Sequence, residues 1–411
     1  MISVPSYLTP LLALFASRGE RAYPVGGCVR DTLMGIPPHD WDVAVTTHPH
    51  DTMALCHDAG YRTVPTGLKH GTVTVLVPLS GDPADRDGPY EMIECTTCRT
   101  EGGYTDGRHP DAVAFTGLIE DDLSRRDFTV NAMAFTQTDG ELAILDLFGG
   151  QKDLKNKVIR AVGDPDTRFT EDALRLMRGV RFAVKLGFTI EADTYAAICR
   201  RAEGLARISR ERISEEFQKI LTSPEPERGV RLLTDTGLLP YVLPHGISPL
   251  GIGDLSSLPA DFTVRMACLL WEMDYDGVQE NLAGLRLPNA VRKDILAIAC
   301  SYIRTIRPDS LCARQWRHGL GENALPALAV RAARGDTAAC ELAELVKLSV
   351  ETNEPVRIAD LDINGTDLIA LGFMPGRLLQ DILCDLLVVV WNDPAKNTRE
   401  ELIKEALKRI D

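Results

Sequence analysis

The chain has 411 residues, which is long enough for roughly two or three domains with separate cores. Hydrophobic residues make up 45% and charged residues 25%, a globular composition that excludes fibrous and disordered classes. The net charge of −14 argues against nucleic-acid binding over the whole surface. No apolar run is long enough to cross a bilayer and no secretory signal is apparent, so we expect a cytoplasmic protein without membrane contact.

The first part of the chain, to residue 147, predicts a mixed α/β structure. Short helices are expected at 8–18 and at 51–60, where Gly60 suits a left-handed cap. Alternating or β-branched segments predict strands at 22–27, 41–47, 72–79 and 90–99. The stretch between Thr100 and Ala112 is rich in Gly, Asp, Arg and Pro, which indicates a mobile polar loop.

From Thr170 onward the pattern is helical. Thr170, followed by two acidic residues, predicts the N-cap of a helix that ends at Gly187. Residues 208–223 predict a second helix, and few strand signals follow residue 260. Residues 175–231 hold twelve Lys/Arg against eight Asp/Glu, a local basic patch in an acidic chain. The fold class predicted is α+β, a head with a small mixed β-sheet followed by helices only.

Two features near the start of the chain carry chemistry. Gly26 and Gly27 end a predicted strand, and glycines let backbone N–H groups approach phosphate oxygens closely, with Arg30 able to clamp an anion. Asp40 and Asp42 lie at the start of the next predicted strand, where alternate residues share one face. Two adjacent carboxylates repel unless a cation lies between them. The pair therefore predicts a site for two Mg²⁺ ions in a two-metal phosphoryl transfer, with a pair of solvated acids as the alternative.

The segment from Gly26 to Val45 resembles the first motif of class II tRNA nucleotidyltransferases of the polymerase-β superfamily, which include CCA-adding enzymes and bacterial poly(A) polymerases. Four more motifs resemble that family in the same order, and the tail resembles the Gram-positive bacterial type. They lie at Ser124–Ala134, Leu145–Leu154, Glu171–Arg178 and Glu211–Glu216.

The resemblance implies a division into four parts. They are a nucleotidyltransferase head (1–147), an all-α neck that recognises the base (148–222), a helical body (223–315) and a helical tail that binds tRNA (316–411). It also implies that Arg126 contacts the nucleotide, that Asn131 meets the ribose and that Glu94 is a third catalytic carboxylate. The last motif, with Arg212, is expected to brace the neck.

Asp172 and Arg175 are the predicted base-reading pair. Residues three apart on a helix lie side by side, and Asp accepts hydrogen bonds while Arg only donates them. Cytosine and adenine each present an amino donor beside a ring-nitrogen acceptor, whereas uracil and guanine present the reverse. The pair would therefore accept C and A, and mismatched bases would leave polar groups unpaired. The alternative is a plain surface ion pair. Arg178 and Arg181 continue the helix and are expected to meet phosphate or the RNA end.

Two segments favour CCA addition within the family. Residues 65–75 resemble the CCA-adding version of that segment, and the loop after Cys98 is not shortened as it is in CC-adding enzymes. The resemblance assigns working roles in this loop to Arg99, Tyr104, Asp106 and Arg108, with an ordinary surface loop as the alternative. The sequence thus predicts addition of C, C and A to tRNA 3′ ends from CTP and ATP, including repair of damaged ends.

Other functions stay open at this point. The enzymatic alternatives are a bacterial poly(A) polymerase and a CC-adding-only enzyme, and a catalytically silent RNA-binding protein is the alternative from another class. The expected partners are CTP, ATP and the acceptor and T arms of tRNA, which would be held by shape and phosphate contacts. A homodimer is the one assembly expected beyond the monomer.

Overall fold

The computed structural model describes residues 4–85, 87–102, 112–138 and 141–408. The chain forms two compact units. The first comprises the residues up to Ile220 together with Arg231–Val242, and the second comprises Leu221–Val230 and the residues from Leu243 onward.

The strands of the described residues all fall in the first unit. They are β1 Ala22–Pro24, β2 Asp42–Val45, β3 Arg62–Gly67, β4 Thr72–Pro78, β5 Tyr90–Thr97, β6 Arg99–Gly102, β7 Ala112–Phe115, β8 Met133–Thr138, β9 Glu141–Asp146, β10 Val158–Ile159 and β11 Thr189–Ile190.

The helices run through both units. They are α1 Thr9–Ser17, α2 Gly27–Leu33, α3 Pro49–Asp58, α4 Ile119–Ser124, α5 Gly150–Asn156, α6 Pro165–Glu171, α7 Leu174–Leu186, α8 Ala192–Arg201, α9 Arg210–Leu221, α10 Pro226–Asp235, α11 Leu239–Val242, α12 Phe262–Leu269, α13 Tyr275–Gly284, α14 Asn289–Ala299, α15 Ser310–Leu320, α16 Ala324–Ala333, α17 Ala338–Glu351, α18 Gly365–Ala370, α19 Arg377–Asn392 and α20 Arg399–Leu407. The predicted α+β class is confirmed.

A five-stranded mixed sheet organises the first unit, in the order β1-β2-β5-β4-β3. Its central strands β2 and β5 are parallel, and the other neighbours are antiparallel. One face is covered by apolar side chains, among them Val43, Val75, Ile93 and Cys95, packed with residues of α1 and α3. Because side chains alternate along a strand, Asp42 and Glu94 point to the opposite face.

The sequence interpretation is wrong on the start of β2. The strand begins at Asp42, so Asp40 precedes the sheet instead of lying in it. Trp41 is buried in the core, whereas the Asp40 side chain is 79% exposed and contacts His39. Only Asp42 has a strand partner to fix its direction, and the assumed alternation does not extend back to Asp40.

The predicted helix from Thr170 to Gly187 is two helices. Thr170 lies inside α6, and Asp164 is the cap, accepting from the Thr167 amide at 2.7 Å. The break falls at Asp172, which has extended backbone geometry, and α7 then ends at Gly187 in the left-handed conformation as expected. The helix starts at Asp164 and Pro165 instead of at Thr170, because proline fixes a helical φ at the first position and Asp164 caps it.

Among its described residues, the second unit contains helices and loops but no strand. Its C-terminal part has a core of its own that includes Ile363, Leu386, Val390, Trp391 and Leu402. Among the described helices, none is both long and apolar enough to span a bilayer. The division into head, neck, body and tail stays a prediction, since two compact units do not resolve four.

Candidate active site

A cleft of about 460 Å³ lies in the first unit, on the face of the sheet that carries Asp42. Its lining brings together residues from the glycine turn, the segment after α4, and helices α2, α7 and α9. They are Gly26, Gly27, Arg30, Asp42, Arg125, Arg126, Asp127, Asn131, Asp172, Arg175, Arg178, Phe182 and Arg212. Six of these residues are arginines and three are aspartates, so the lining carries a net positive formal charge that suits a polyanion.

The glycine turn allows an arginine to approach the backbone. Gly26 has φ +77°, and a Cβ there would lie 2.6 Å from Nη1 of Arg126. A side chain at this position would therefore collide with Arg126 and strain the backbone as well. Gly27 then opens α2, which carries the buried Arg30.

A buried hydrogen-bonded chain fixes two of the arginines. Arg30 donates to Oδ1 of Asn131 at 2.6 Å, and Nδ2 of Asn131 donates to Oδ1 of Asp127 at 3.3 Å. Arg178 donates to the other carboxylate oxygen of Asp127 at 2.7 Å. Asn131 therefore joins Arg30 to Asp127, and both of its side-chain polar atoms are engaged.

The charge state of Asp127 follows from these contacts. Burial, the largest single influence, would raise its pKa, but the charges of Arg178 and Arg175 and the hydrogen bonds from Arg178 and Asn131 together lower the pKa to about 2. Asp127 is thus ionised at any working pH, and it holds Arg178 toward the cleft.

Asp122 likewise forms ion pairs that hold two further arginines. Its carboxylate is 1% exposed and accepts from Arg125 at 2.5 Å and from Arg126 at 2.9 Å. Burial opposes its ionisation, yet the two guanidinium groups lower its pKa. Arg126, predicted to contact nucleotide, accordingly lies at the cleft in a fixed orientation.

Asp42, which lines the cleft, forms a carboxylate pair with Glu94, which lies outside the lining. The two residues are direct partners in the parallel pairing of β2 and β5, so both face the same way. Burial first, and the charge of Glu94 second, raise the pKa of Asp42. This crowding of like charges is the situation that a divalent cation relieves, because it offers both carboxylates a shared counter-charge.

Asp40 is not drawn into this pair. Its carboxylate accepts from Nδ1 of His39 at 2.7 Å, and it lies outside the lining of the cleft. In the part of the chain that the structure describes, no group of three or more His, Cys, Asp or Glu side chains is placed to hold a metal ion. The residues that fit a cation are therefore Asp42 and Glu94, with Asp40 two residues upstream.

The predicted base-reading residues both line the cleft but do not pair with each other. Asp172 accepts from Nη2 of Arg212 at 2.8 Å and from the amide of Leu174 at 3.0 Å. Arg175 donates to Oε2 of Glu171 at 2.6 Å and to the carbonyl of Arg125 at 2.9 Å. The simple Asp172–Arg175 ion pair, which was the alternative, is thus replaced by two separate anchors.

Arg178 and Arg181 have different surroundings. Arg178 lines the cleft as expected, but Arg181 lies against Glu216, 3.2 Å from its carboxylate, and is absent from the lining. The Phe182 ring lies beneath three guanidinium groups, at 4.3 to 5.5 Å. They belong to Arg30, Arg178 and Arg181. Stacking on an aromatic face stabilises such a cluster of like charges.

The predicted loop residues are only partly described. Arg99 begins β6, which pairs with β7, and it donates to the carbonyl of His70. The strand pair was not predicted, since most of β6 falls in the segment interpreted as a polar loop. Tyr104, Asp106 and Arg108 lie outside the described residues.

The sequence reasoning missed several residues that shape the cleft. Asp122, Asp127, Glu171 and Phe182 were given no role, although Asp127 and Glu171 lie inside two of the motifs and Asp122 lies two residues before one. A position in or near a motif is a weak signal, since the decisive partners lie far along the chain. Arg178, for example, is 51 residues from Asp127.

Family models match most of the chain. The Poly A polymerase head domain matches residues 22–160, and the probable RNA- and SrmB-binding site of polymerase A matches residues 187–248. The putative domain 2 of tRNA nucleotidyltransferase matches residues 261–406.

Individual relatives match over nearly the full length. The CCA-adding enzyme of Latilactobacillus sakei is 37% identical over 405 residues, covering 97% of this chain and 96% of the relative. That of Leuconostoc mesenteroides is 35% identical, covering 98% and 96%. The Bacillus stearothermophilus CCA-adding enzyme, solved in complex with CTP, has a TM-score of 0.81 at 32% identity, covering 99% and 98%. The Thermotoga maritima enzyme, solved with tRNA, shares the fold, with a TM-score of 0.69 at 22% identity, covering 100% and 97%. The chain therefore belongs to the CCA-adding enzymes, the class II tRNA nucleotidyltransferases of the Gram-positive bacterial type.

Proposed function

We propose that the cleft transfers nucleotides from CTP and ATP to the 3′ end of tRNA and releases pyrophosphate, completing and repairing the terminal CCA. The observation that carries the proposal is the meeting of Asp42, which is paired with Glu94, with Asp172 and the arginines in one cleft. A carboxylate pair, an anion clamp and an acceptor for an amino group are what a self-templating nucleotidyltransferase requires.

The arginines bind and orient the triphosphate. Arg30, Arg126 and Arg178 are held by Asn131, Asp122 and Asp127. Their guanidinium groups are therefore in place before the nucleotide arrives and cost little reorganisation when charge develops on the phosphates. Gly26 and Gly27 leave room for the phosphates to approach the backbone.

Asp42 and Glu94, with Asp40, would hold a divalent cation, which we propose is Mg²⁺. When bound, the cation neutralises charge on the α-phosphate and favours the ionised form of the primer 3′-hydroxyl. Asp40 would have to leave His39 and turn toward the cleft, a change that its exposed side chain permits.

Asp172 and Arg175 would select the base. Asp172 accepts from the exocyclic amino group of cytosine or adenine, and Arg175 donates to the neighbouring ring nitrogen. Arg212 holds Asp172 and Glu171 holds Arg175. The edge of U or G would then meet an acceptor and a donor that do not match its own hydrogen-bonding groups and cannot rearrange. The acceptor and T arms of tRNA would be bound by the body and tail, in the cytoplasm where tRNA matures. Whether the working enzyme is a homodimer is checked by sedimentation.

The test is incorporation of labelled nucleotides into tRNA that ends at the discriminator base. We expect two C residues with CTP, a terminal A when ATP is added, and neither product after chelation until Mg²⁺ is restored. Absence of incorporation with Mg²⁺ present would overturn the proposal. A poly(A) polymerase would instead extend generic RNA into long tails with ATP alone, and a CC-adding enzyme would stop before the A.

A further inference from the structure

An exposed apolar surface continues from the catalytic carboxylates along the same face of the sheet. Met92 precedes Glu94 by two residues on β5 and Tyr90 precedes it by four, so all three side chains share that face. Met92 is 66% exposed and Tyr90 is 47% exposed. Large apolar groups at this level of exposure, in a row, are typical of an interaction surface.

The neighbouring strands extend this surface toward the β3 edge. Met92 pairs with Leu76 and Leu76 pairs with Arg62, while Glu94 pairs with Thr74 and Thr74 with Val64. Partners in register point to the same face, so Arg62 and Val64 share the face of Met92, with Leu76 and Thr74 of β4 between them. Val64 is 43% exposed. We call Arg62, Val64, Tyr90 and Met92 the outer sheet face.

Arg62 gives the outer sheet face a cation next to an aromatic ring. Its guanidinium carbon lies 5.1 Å from the centroid of the Tyr90 ring. An aromatic ring for stacking and an arginine for phosphate are the combination with which proteins bind single-stranded nucleic acid without sequence preference.

The distance of the outer sheet face from the catalytic carboxylates indicates which ligand it binds. Glu94 and Tyr90 are four residues apart on one strand, about 13 Å, a length that matches roughly four stacked nucleotides. A primer whose 3′-hydroxyl reaches Asp42 has its preceding nucleotides within that distance. We propose that the outer sheet face binds the last unpaired nucleotides of the RNA primer, with Met92 and Tyr90 stacking on bases and Arg62 on a phosphate. This inference rests on the proposed function, since it takes the primer terminus to lie at Asp42.

The test measures stacking without turnover. A tRNA with 2-aminopurine at its 3′-terminal position is titrated with enzyme in the absence of nucleotide, so that quenching reports stacking of the terminal base. The variants are the double substitution Tyr90→Ala/Met92→Ala and the matched control Leu118→Ala. Leu118 is 58% exposed and lies two residues before Glu120 in the chain. The charge of Glu120 acts on Arg21, which precedes β1, and β1 is the edge strand opposite β3.

We expect wild type and Leu118→Ala to quench equally and the double variant to lose most of the quenching. Its KM for tRNA should rise about tenfold, in line with the usual effect of removing a stacking side chain, while its KM for CTP stays unchanged. Arg62→Ala should lower the slope of log affinity against log salt by about 0.7, the value for one phosphate contact on a single strand.

Undiminished quenching by a double variant with a wild-type circular dichroism spectrum would overturn the inference, as would an equal rise in both KM values. A changed sedimentation coefficient in that variant, with quenching intact, would instead assign the face to a second copy of the chain. Failure of the wild type to incorporate CTP would count against the proposed function, whereas the quenching experiment reads binding alone.

Discussion

Several side chains that line the cleft are oriented by ion pairs with neighbouring charged residues. Arg212 fixes Asp172, and Asp127 fixes Arg178, although neither of the fixing residues was predicted to touch the nucleotide. The types of residue at the site could be predicted from motifs, but their partners could not. Pairs such as Arg212 and Asp172, 40 residues apart, meet only because α6, α7 and α9 converge, and a single sequence carries no signal for that.

Removing Arg212 tests whether Asp172 selects the base as a fixed acceptor. Arg212→Ala should lower kcat/KM for CTP and ATP by about tenfold to a hundredfold, the cost of one charge-assisted hydrogen bond. It should also raise misincorporation of UTP and GTP, because a mobile carboxylate rejects a wrong edge less well. The measurement is single-turnover kinetics with each of the four nucleotides.

Lys219→Ala is the matched control for Arg212, since Lys219 lies on the same helix with a half-exposed side chain. Its nucleotide preference should equal that of the wild type. Unchanged discrimination in Arg212→Ala would show that Asp172 needs no anchor.

Gly26 provides a second test at the residue scale. Gly26→Ala places a Cβ 2.6 Å from Arg126, whereas Gly35, with φ +72°, has no atom within 4 Å of its added Cβ. Both positions have positive φ, but ψ at Gly26 is −123°, outside the left-handed helical region, so Gly26→Ala should also lose more stability. Gly26→Ala should raise KM for CTP well beyond Gly35→Ala, as measured by steady-state kinetics at a temperature where thermal unfolding shows that both variants are folded. Equal KM values would exclude the predicted displacement of Arg126.

The strands and helices explain which parts of the cleft could be foreseen. The alternation along β5 explains why Cys95 is buried in the core while Glu94 faces the other side of the sheet. It failed at Asp40, where no strand partner enforces the pattern. The helical periodicity failed at Asp172, where the chain breaks between α6 and α7. The periodicity suggests one helix, but capping by Asp164 and Pro165 starts a separate helix earlier in the chain.

The hairpin of β8 and β9 was not predicted at all. Its strands pair from Met133 to Asp146, and most of the hairpin lies between the motifs at Ser124–Ala134 and Leu145–Leu154. The hairpin follows Asn131 directly and helps to set the position of that residue, so the segment serves the site through its backbone.

Asp127 connects the segment after α4 to α7, and its contribution to stability depends on pH. Its folded pKa of about 2 lies below the usual value near 3.9, so its contribution is present above pH 4 and is lost as the pH falls toward 2. The shift corresponds to about 2 kcal/mol of stability at neutral pH.

Asp127→Asn should lower the free energy of unfolding at pH 7, measured with urea. The difference from wild type should shrink as the pH falls from about 4 toward 2, because the wild-type carboxylate then becomes protonated. Asp166→Asn, which removes a surface ion pair with Arg200 and Arg201, should cost much less at every pH. A difference that stays constant with pH would show that Asp127 does not stabilise the fold as an ion.

At the scale of the molecule, the catalytic cleft lies wholly within the first unit, while the second unit is an array of helices. The sequence predicted a mixed α/β part followed by helices, because the hydrophobic period changes near residue 170, whereas the first unit continues through further helices to Ile220. The four-part division and the tRNA contacts of the tail stay predictions, since they depend on helix packing that periodicity does not specify.

The central claim is that Asp42 supports metal-dependent transfer of C and A to tRNA. Asp42→Asn keeps the size of the side chain and removes the charge that would bind the cation. Incorporation of CTP into tRNA ending at the discriminator base should fall about a thousandfold, as expected for the loss of roughly 4 kcal/mol of transition-state stabilisation, while tRNA affinity stays close to wild type. Incorporation at the wild-type rate, or a parallel loss of tRNA binding, would contradict this account.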